Sequence, residues 1–300
     1  MKIRPGTLDD TIAVYNVFQK SALDLGQRLG SMAITGGEDP AVLEKLWERR
    51  RPLFEHLAQT AEQFWLAEDE GHVIGYARST LRDGLRELTE FFVLPGHQSA
   101  GVGRELLARA FPAEGAARHC IAASIDSRAV ARYLKAGVYP LFPVYYFERQ
   151  PEEDVSLASD LLAEPITDSE ASVALLGELE AAIVGHRRDV DHRFLLGDRQ
   201  GYFYRRGEQV VGYGYVGHRS GPFALLDSGL FPAVLAHAEH EVARSGETEF
   251  GLEVPLVNRV AVAYLLERGF KMDSFFEFFM ADAPFGLFEN YVFTSPPFFL

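Results

Sequence analysis

Three short segments in the first half of the 300-residue chain return, in the same order, in the second. IRPGTLDD at 3–10 is matched by AEPITDSE at 163–170, GHVIGYA at 71–77 by GEQVVGYG at 207–214, and ARYLKAGV at 131–138 by AYLLERGF at 263–270. The offsets are 160, 137 and 132 positions, close to half the chain. A period this long means a duplicated domain, since solenoid repeats run at roughly 20–50 residues. The acidic, proline-bounded RQPEEDVS at 149–156 is the natural boundary, which predicts domains at 1–150 and 151–300. Between the first two matches, Pro5 to Gly75 spans 70 positions but Pro165 to Gly212 only 47. The first half therefore holds about 23 additional residues, within LGSMAITGGEDPAVLEKLWERRRPLFEHLAQT at 29–60. They read as a loop and a helix placed to cap a site.

Within each half the order reads strand, helix, helix, several strands, helix, strand, helix, strands. Hairpins followed by helix crossovers predict an α/β (α+β) fold, a mixed and mostly antiparallel sheet with helices on its faces. In the first half FWLAEDE and HVIGYARSTL form a hairpin and LRELTEFFVL a further strand. GVGRELLARAF then reads as a helix with Val102, Leu106, Leu107 and Ala110 on one face.

Charge separates the halves. The net charge of −14 excludes a general nucleic-acid binder, which needs a basic face. Residues 1–150 hold 18 Lys+Arg against 19 Asp+Glu, and residues 151–300 hold 11 against 24. An anionic ligand is therefore expected in the first half, and the acidic second half favours a cationic partner. A single cysteine, Cys120, excludes an internal disulfide framework and suits a reducing compartment. With no apolar leader in MKIRPGTLDD and no long apolar run, a cytoplasmic chain without membrane contact is expected, as monomer or homodimer.

One segment asks for a ligand. GHQSAGVGRELLARAF at 96–111 puts three glycines and no large apolar side chain between a strand and a helix. Glycines make sense there if the backbone approaches an anion closely, with N–H groups at the helix N-terminus pointing at it. Strand, then Gln98-Ser99-Ala100-Gly101-Val102-Gly103, then helix, resembles the Q/R-x-x-G-x-G/A acyl-CoA loop of the GNAT N-acetyltransferase superfamily. A second feature of that family follows: a helix with Tyr133 four positions before a terminal Gly137, and Ala129 four positions earlier still. Asp126 stands where the family often has Asn. In the second half Asn258, Ala261, Gly269 and Phe270 match this feature, but Leu265 replaces the tyrosine. The glycine loop is missing there, and Phe231-Pro232 stands where backbone donors should be; proline has no N–H to give. The resemblance thus implies tandem GNAT modules, the first with its chemistry and the second degenerate. Some bacterial thiol-acetylating synthases are built in tandem, but there the second module is the better preserved.

The resemblance implies an acetyl-CoA-dependent N-acetyltransferase, with acetyl-CoA as co-substrate, no metal, and a small-molecule or peptide amine as acceptor. The loop residues Gln98 to Gly103, with Arg104 and Asp126, would hold the cofactor, and the strand edge at Phe91, Phe92 and Val93 would polarise the thioester. For the base, period-two counting puts Glu87 on the face of Phe91 and Val93, with Glu90 opposite unless a β-bulge shifts the parity. Glu87, eleven residues before Gln98, matches the glutamate of the family's histone-acetylating members; Glu90, water or another carboxylate remain alternatives. Tyr133 matches the family's acid, which protonates the departing thiolate; its alternative is a packed aromatic on a helix face. A non-catalytic acyl-CoA sensor or scaffold is the second reading of the whole chain. It needs the glycine loop but not Tyr133 or Glu87.

Other signals read as structure. GYGYVG at 212–217 spells a dinucleotide fingerprint, but it continues an alternating strand and no helix follows. His237 and His240 have no third ligand placed by spacing, and His119 and Cys120 point to opposite faces of a strand. The arginines at 49–51 read as a solvated helix face, and nine phenylalanines within 275–299 as the core face of the last strands.

Overall fold

The computed structural model describes residues 1–30, 40–98, 101–153, 155, 159–297 and 299–300. It divides into two compact units: Met1–Tyr139 with Met280–Ala283, and Pro140–Phe279 with Pro284–Leu300. The strand that ends the first half of the sequence is thus counted with the second unit.

Unit 1 runs β1 (Lys2–Pro5), α1 (Thr11–Leu29), α2 (Pro40–Thr60), β2 (Gln63–Asp69), β3 (His72–Arg82), β4 (Leu85–Val93), α3 (Val102–Ala110), β5 (Arg118–Ser124) and α4 (Ser127–Lys135). The strands lie in the order β1-β2-β3-β4-β5, antiparallel except for the β4–β5 pair. Both hairpins close on two residues. Glu70-Gly71 and Asp83-Gly84 all have positive φ, between 45° and 84°. Two left-handed residues in succession match the twist of the flanking strands, so the turns set the register. The helices α1 and α2 cover one face of the sheet with an aromatic cluster: Tyr15 to Phe54 at 5.3 Å and Phe18 to Phe92 at 5.2 Å between ring centres. Each such pair adds about 0.5–1.5 kcal/mol beyond burial of its area. The helix α3 lies against the other face, burying the Val102, Leu106, Leu107 and Ala110 stripe expected from its periodicity.

Unit 2 holds β6 (Tyr139–Arg149, from Pro140 on), β7 (Leu161–Pro165), α5 (Glu170–Ile183), α6 (Asp189–Asp198), β8 (Gln200–Arg206), β9 (Gln209–Val216), β10 (Phe223–Leu225), α7 (Phe231–Arg244), β11 (Phe250–Pro255), α8 (Arg259–Glu267), β12 (Lys271–Ala281) and β13 (Tyr291–Val292). One sheet has the order β13-β10-β9-β8-β7, and β6 lies between β12 and β11. The element order repeats that of unit 1. The added length of the first half sits largely in its first two helices: 19 and 21 residues in α1 and α2, against 14 and 10 in α5 and α6. Residues 31–39 of the expected capping segment lie outside the described residues. The described part of α2 is core as well as cover, since Leu53, Phe54 and Leu57 are buried.

GYGYV of this motif, residues 212–216, lies in strand β9, as its alternation predicts. A Cβ on Gly212 would lie 2.4 Å from the Ala224 carbonyl oxygen, and one on Gly214 2.1 Å from the Phe223 ring. These glycines make room for β10 and cradle no phosphate. No helix among the described residues is long and apolar enough to cross a membrane.

Candidate functional site

The site is built around the end of β4. In the β3–β4 ladder Arg78 pairs with Glu90 but Ser79 pairs with Leu88, so Thr89 is an extra residue, a β-bulge. The bulge overturns the period-two count. Glu87 is paired with Thr80, and Glu90 with Arg78, two positions away on β3. Paired residues share a face, so both glutamates lie on the α1/α2 face with Phe92, while Phe91 and Val93 take the α3 face. Glu87 does not share the face of Phe91 and Val93, because the inserted Thr89 reverses the alternation between them.

Glu90 is held tightly. Its Oε1 accepts from the Tyr76 hydroxyl at 2.7 Å and its Oε2 from Arg78 Nε at 2.5 Å. Arg78 is fully buried, donates through Nη1 to the Phe54 carbonyl at 2.9 Å, and lies 5.1 Å from the Phe64 ring centre. Such a carboxylate has its oxygens committed to an ion pair. Glu87 is buried at the end of the parallel ladder, opposite Cys120.

That ladder is short. It has three pairs, Leu85 with Arg118, Arg86 with His119 and Glu87 with Cys120. Among the described residues, the strand from Leu88 to Val93 pairs with β3 alone, and residues 91–93 are half-buried. A strand edge with unpaired backbone groups is a template for any extended chain of amides.

The loop beyond that edge keeps its donors. Gly101 has φ +87°, with nothing within 4 Å of where a Cβ would stand, and begins α3. Among the described residues the N–H groups of Gly101, Val102 and Gly103 have no backbone acceptor, as the first turn of a helix requires. Gly103 is needed for packing: its Cβ would lie 3.1 Å from the Phe91 ring and 3.7 Å from the Arg132 guanidinium. Ser99 and Ala100 lie outside the described residues. Arg104 is exposed.

Gln98 ties the loop together. Its Nε2 donates to the Val93 carbonyl at 3.0 Å, and its Oε1 accepts from Arg128 Nη1 at 2.7 Å. Asp126 caps α4, accepting from the Arg128 backbone at 3.0 Å and from Arg28 Nη2 at 3.0 Å. Burial pushes the Asp126 pKa up, but hydrogen bonds from the Arg128 side chain and backbone, and from Arg28, outweigh it and bring it to about 2. A depressed carboxylate stabilises the fold above its ordinary pKa of about 3.9, and that contribution fades as pH falls through the lowered value.

Tyr133, on α4, is buried and packs edge-on to Phe91 at 6.2 Å. Burial, with the Asp126 carboxylate nearby, pushes its pKa up, so the phenol stays protonated at neutral pH. Cys120 is buried, and burial with the Glu87 and Asp282 carboxylates pushes its thiol up. Its neighbour His119 is held by Asp282 Oδ2 at 3.2 Å and the Pro112 carbonyl at 3.0 Å. No thiolate–imidazole pair exists here. No group of three metal-ligating side chains forms among the described residues. His237 bonds the Tyr204 hydroxyl and His240 the Glu153 carbonyl.

Sequence reasoning missed Tyr76, Arg78, Arg28 and Arg128. Arg78 carried a signal: an arginine inside the apolar run HVIGYARSTL needs a buried acid. Arg28 carried none, because it reaches Asp126 from 98 positions away.

Residues 34–138 match the family model for the acetyltransferase (GNAT) family. No curated protein matches the sequence. Among solved structures, a protein of Pyrococcus horikoshii proposed to be an acetyltransferase is 15% identical with a TM-score of 0.72, over 97% of this chain and 92% of that one. A tandem GNAT protein from the clavulanic acid biosynthesis pathway is 14% identical with a TM-score of 0.58, over 94% and 99%. A GCN5-related N-acetyltransferase of Sphaerobacter thermophilus is also 14% identical at 0.58, over 94% and 96%. At these identities the likeness is one of fold, and it extends over both units.

Proposed function

We propose that the chain, of which residues 34–138 match the acetyltransferase (GNAT) family model, transfers an acetyl group from acetyl-CoA to a primary amine, with the chemistry in unit 1. The observation that supports this reading is the edge from Leu88 to Phe92, which β5 does not pair, beside the N–H groups of residues 101–103, for which no backbone acceptor stands among the described residues. The pantetheine arm is an extended chain with two amides, which an open strand edge can pair. The pyrophosphate is an anion, which a helix N-terminus with close glycine backbone can hold.

In this reading Gly101, Val102 and Gly103 bind the pyrophosphate, and residues 91–93 orient the thioester. Gln98 keeps the end of β4 tied to Arg128. Glu87 takes the proton from the ammonium nucleophile, directly or through water, and the amine attacks the thioester carbon. As the carbon–sulfur bond breaks, the Tyr133 phenol gives its proton to the thiolate, and the second proton, lost from the nitrogen as the amide forms, restores the phenol. Glu87 lies on the α1/α2 face, so the acceptor approaches from that side. The acidic balance of the chain, 43 Asp+Glu against 29 Lys+Arg, favours a cationic amine.

The test is free-thiol release from acetyl-CoA against a panel of small amines, polyamines, amino acids, aminoglycosides and peptides, with calorimetry of CoA binding. One CoA per chain and acceptor-dependent thiol release are expected. CoA binding with no turnover on any acceptor would leave a sensor or scaffold; no CoA binding would end both readings.

The two glutamates should separate cleanly. Glu87→Gln is expected to lower kcat/KM by about 10²-fold or more. Glu90→Gln leaves the buried Arg78 uncompensated and should cost about 3–5 kcal/mol in denaturant unfolding. Parental activity in the Glu87 variant would remove it as the base.

A further inference from the structure

The C-terminal segment of the chain occupies, in unit 2, the place that stays open in unit 1. The strands corresponding to β4 and β5 are β10 and β11, by the repeat and by their positions after β9 and before α8. They do not pair with each other. Phe223 and Ala224 of β10 pair antiparallel with Val292 and Tyr291 of β13. On its other side the same segment meets β11: Phe293 bridges Glu253, and its N–H donates to the Glu253 carbonyl at 2.9 Å.

Side chains fasten the segment along its length. Asn258, which caps α8 as Asp126 caps α4, donates through Nδ2 to the Tyr291 carbonyl at 3.1 Å. Asn290 Nδ2 donates to the Leu225 carbonyl at 2.7 Å. Arg188 Nη2 donates to the Tyr291 hydroxyl at 2.6 Å, and Arg199 to Thr294 Oγ1 at 3.1 Å and the Ser295 carbonyl at 2.9 Å. Residues Tyr291 through Ser295 are each at most 1% exposed. A backbone strand paired on both edges and sealed from water is bound as a ligand would be.

We propose that unit 2 is a strand-binding module whose cleft is permanently filled by the chain's own residues 290–295. The cleft fits an extended peptide with aromatic and β-branched side chains, because its two walls offer backbone groups to both edges of the inserted strand. This occupancy excludes acyl-CoA from unit 2 on a ground separate from the missing glycine loop. The inference rests on unit 2 alone and stands whether or not unit 1 transfers acetyl groups.

The experiment compares the full chain with one ending at Glu289, each with a synthetic peptide of residues 290–300. Truncation should lower Tm and speed amide exchange at 223–225 and 250–255 by at least about tenfold, because those edges lose their partner. The peptide should restore both saturably, acetyl-CoA should not displace it, and a peptide carrying Phe293→Pro, which lacks the N–H to Glu253, should restore neither. If the shortened chain does not fold, Phe293→Pro and Asn258→Ala in the full chain serve instead. They should accelerate exchange at the same two strands and leave β2 and β3 unchanged. Parental exchange in the shortened chain or in both full-length variants, no rescue by the peptide, or its displacement by acetyl-CoA would overturn the proposal.

Discussion

Tyr133→Phe is expected to lower kcat by at least about 10²-fold while CoA affinity stays within a few-fold of the parent. The change removes one oxygen from the chemistry and almost nothing from the packing, since phenylalanine fills nearly the same volume. The edge-on contact with Phe91 at 6.2 Å survives it. The phenol carries its proton at neutral pH, as any tyrosine does, so the proton to be given away is present. A residue that is only a packed aromatic would show little rate change. A fall in both rate and CoA affinity would mean that the hydroxyl holds the sulfur instead. Near-parental kcat, in an assay where chemistry limits the rate, would end the general-acid assignment. The reverse change Leu265→Tyr in unit 2 should create no activity, since β13 fills the cleft beside it and Pro232 lacks an N–H.

Gly101→Val is expected to weaken CoA binding by about 10²-fold or more, as measured by calorimetry, with a modest loss of Tm. The physical cause is backbone and not bulk. Nothing stands within 4 Å of the absent Cβ, but φ is +87°, and a β-branched residue is strained there whatever the space. Relief comes from rotating the residue out of the left-handed region, which turns the N–H groups of 101–103 away from a shared point. Strain at such a position costs about 1–3 kcal/mol, small against the stability of a unit this size but large against the alignment of three donors. Gly103→Val should act differently, by pushing on the Phe91 ring at 3.1 Å. If Gly101→Val binds CoA like the parent, the pyrophosphate is held elsewhere.

Much of the molecule was legible in the chain itself. The first hairpin, the helical stripe of α3 and the glycine loop are all local patterns. Local patterns survive because turn chemistry and side-chain periodicity act over a few residues, before any distant contact forms. The asymmetry between the halves was local too: Pro232 and Leu265 can be read without a structure.

Tertiary structure decided the rest. The face that Glu87 occupies turned on one inserted residue, Thr89, and period-two counting cannot see a bulge that depends on what the partner strand offers. The fate of Glu90 depended on Arg78, which had to be buried before it needed an acid. Asp126 is depressed to about 2 by hydrogen bonds from Arg128, two positions away, and from Arg28, which only the folded chain brings from the end of α1. The filling of the second cleft by residues 290–295 joins segments that stand far apart in sequence, as with Tyr291 on Asn258. Which strand closes an open edge is a competition among all the strands that can reach it, and only the folded chain settles that.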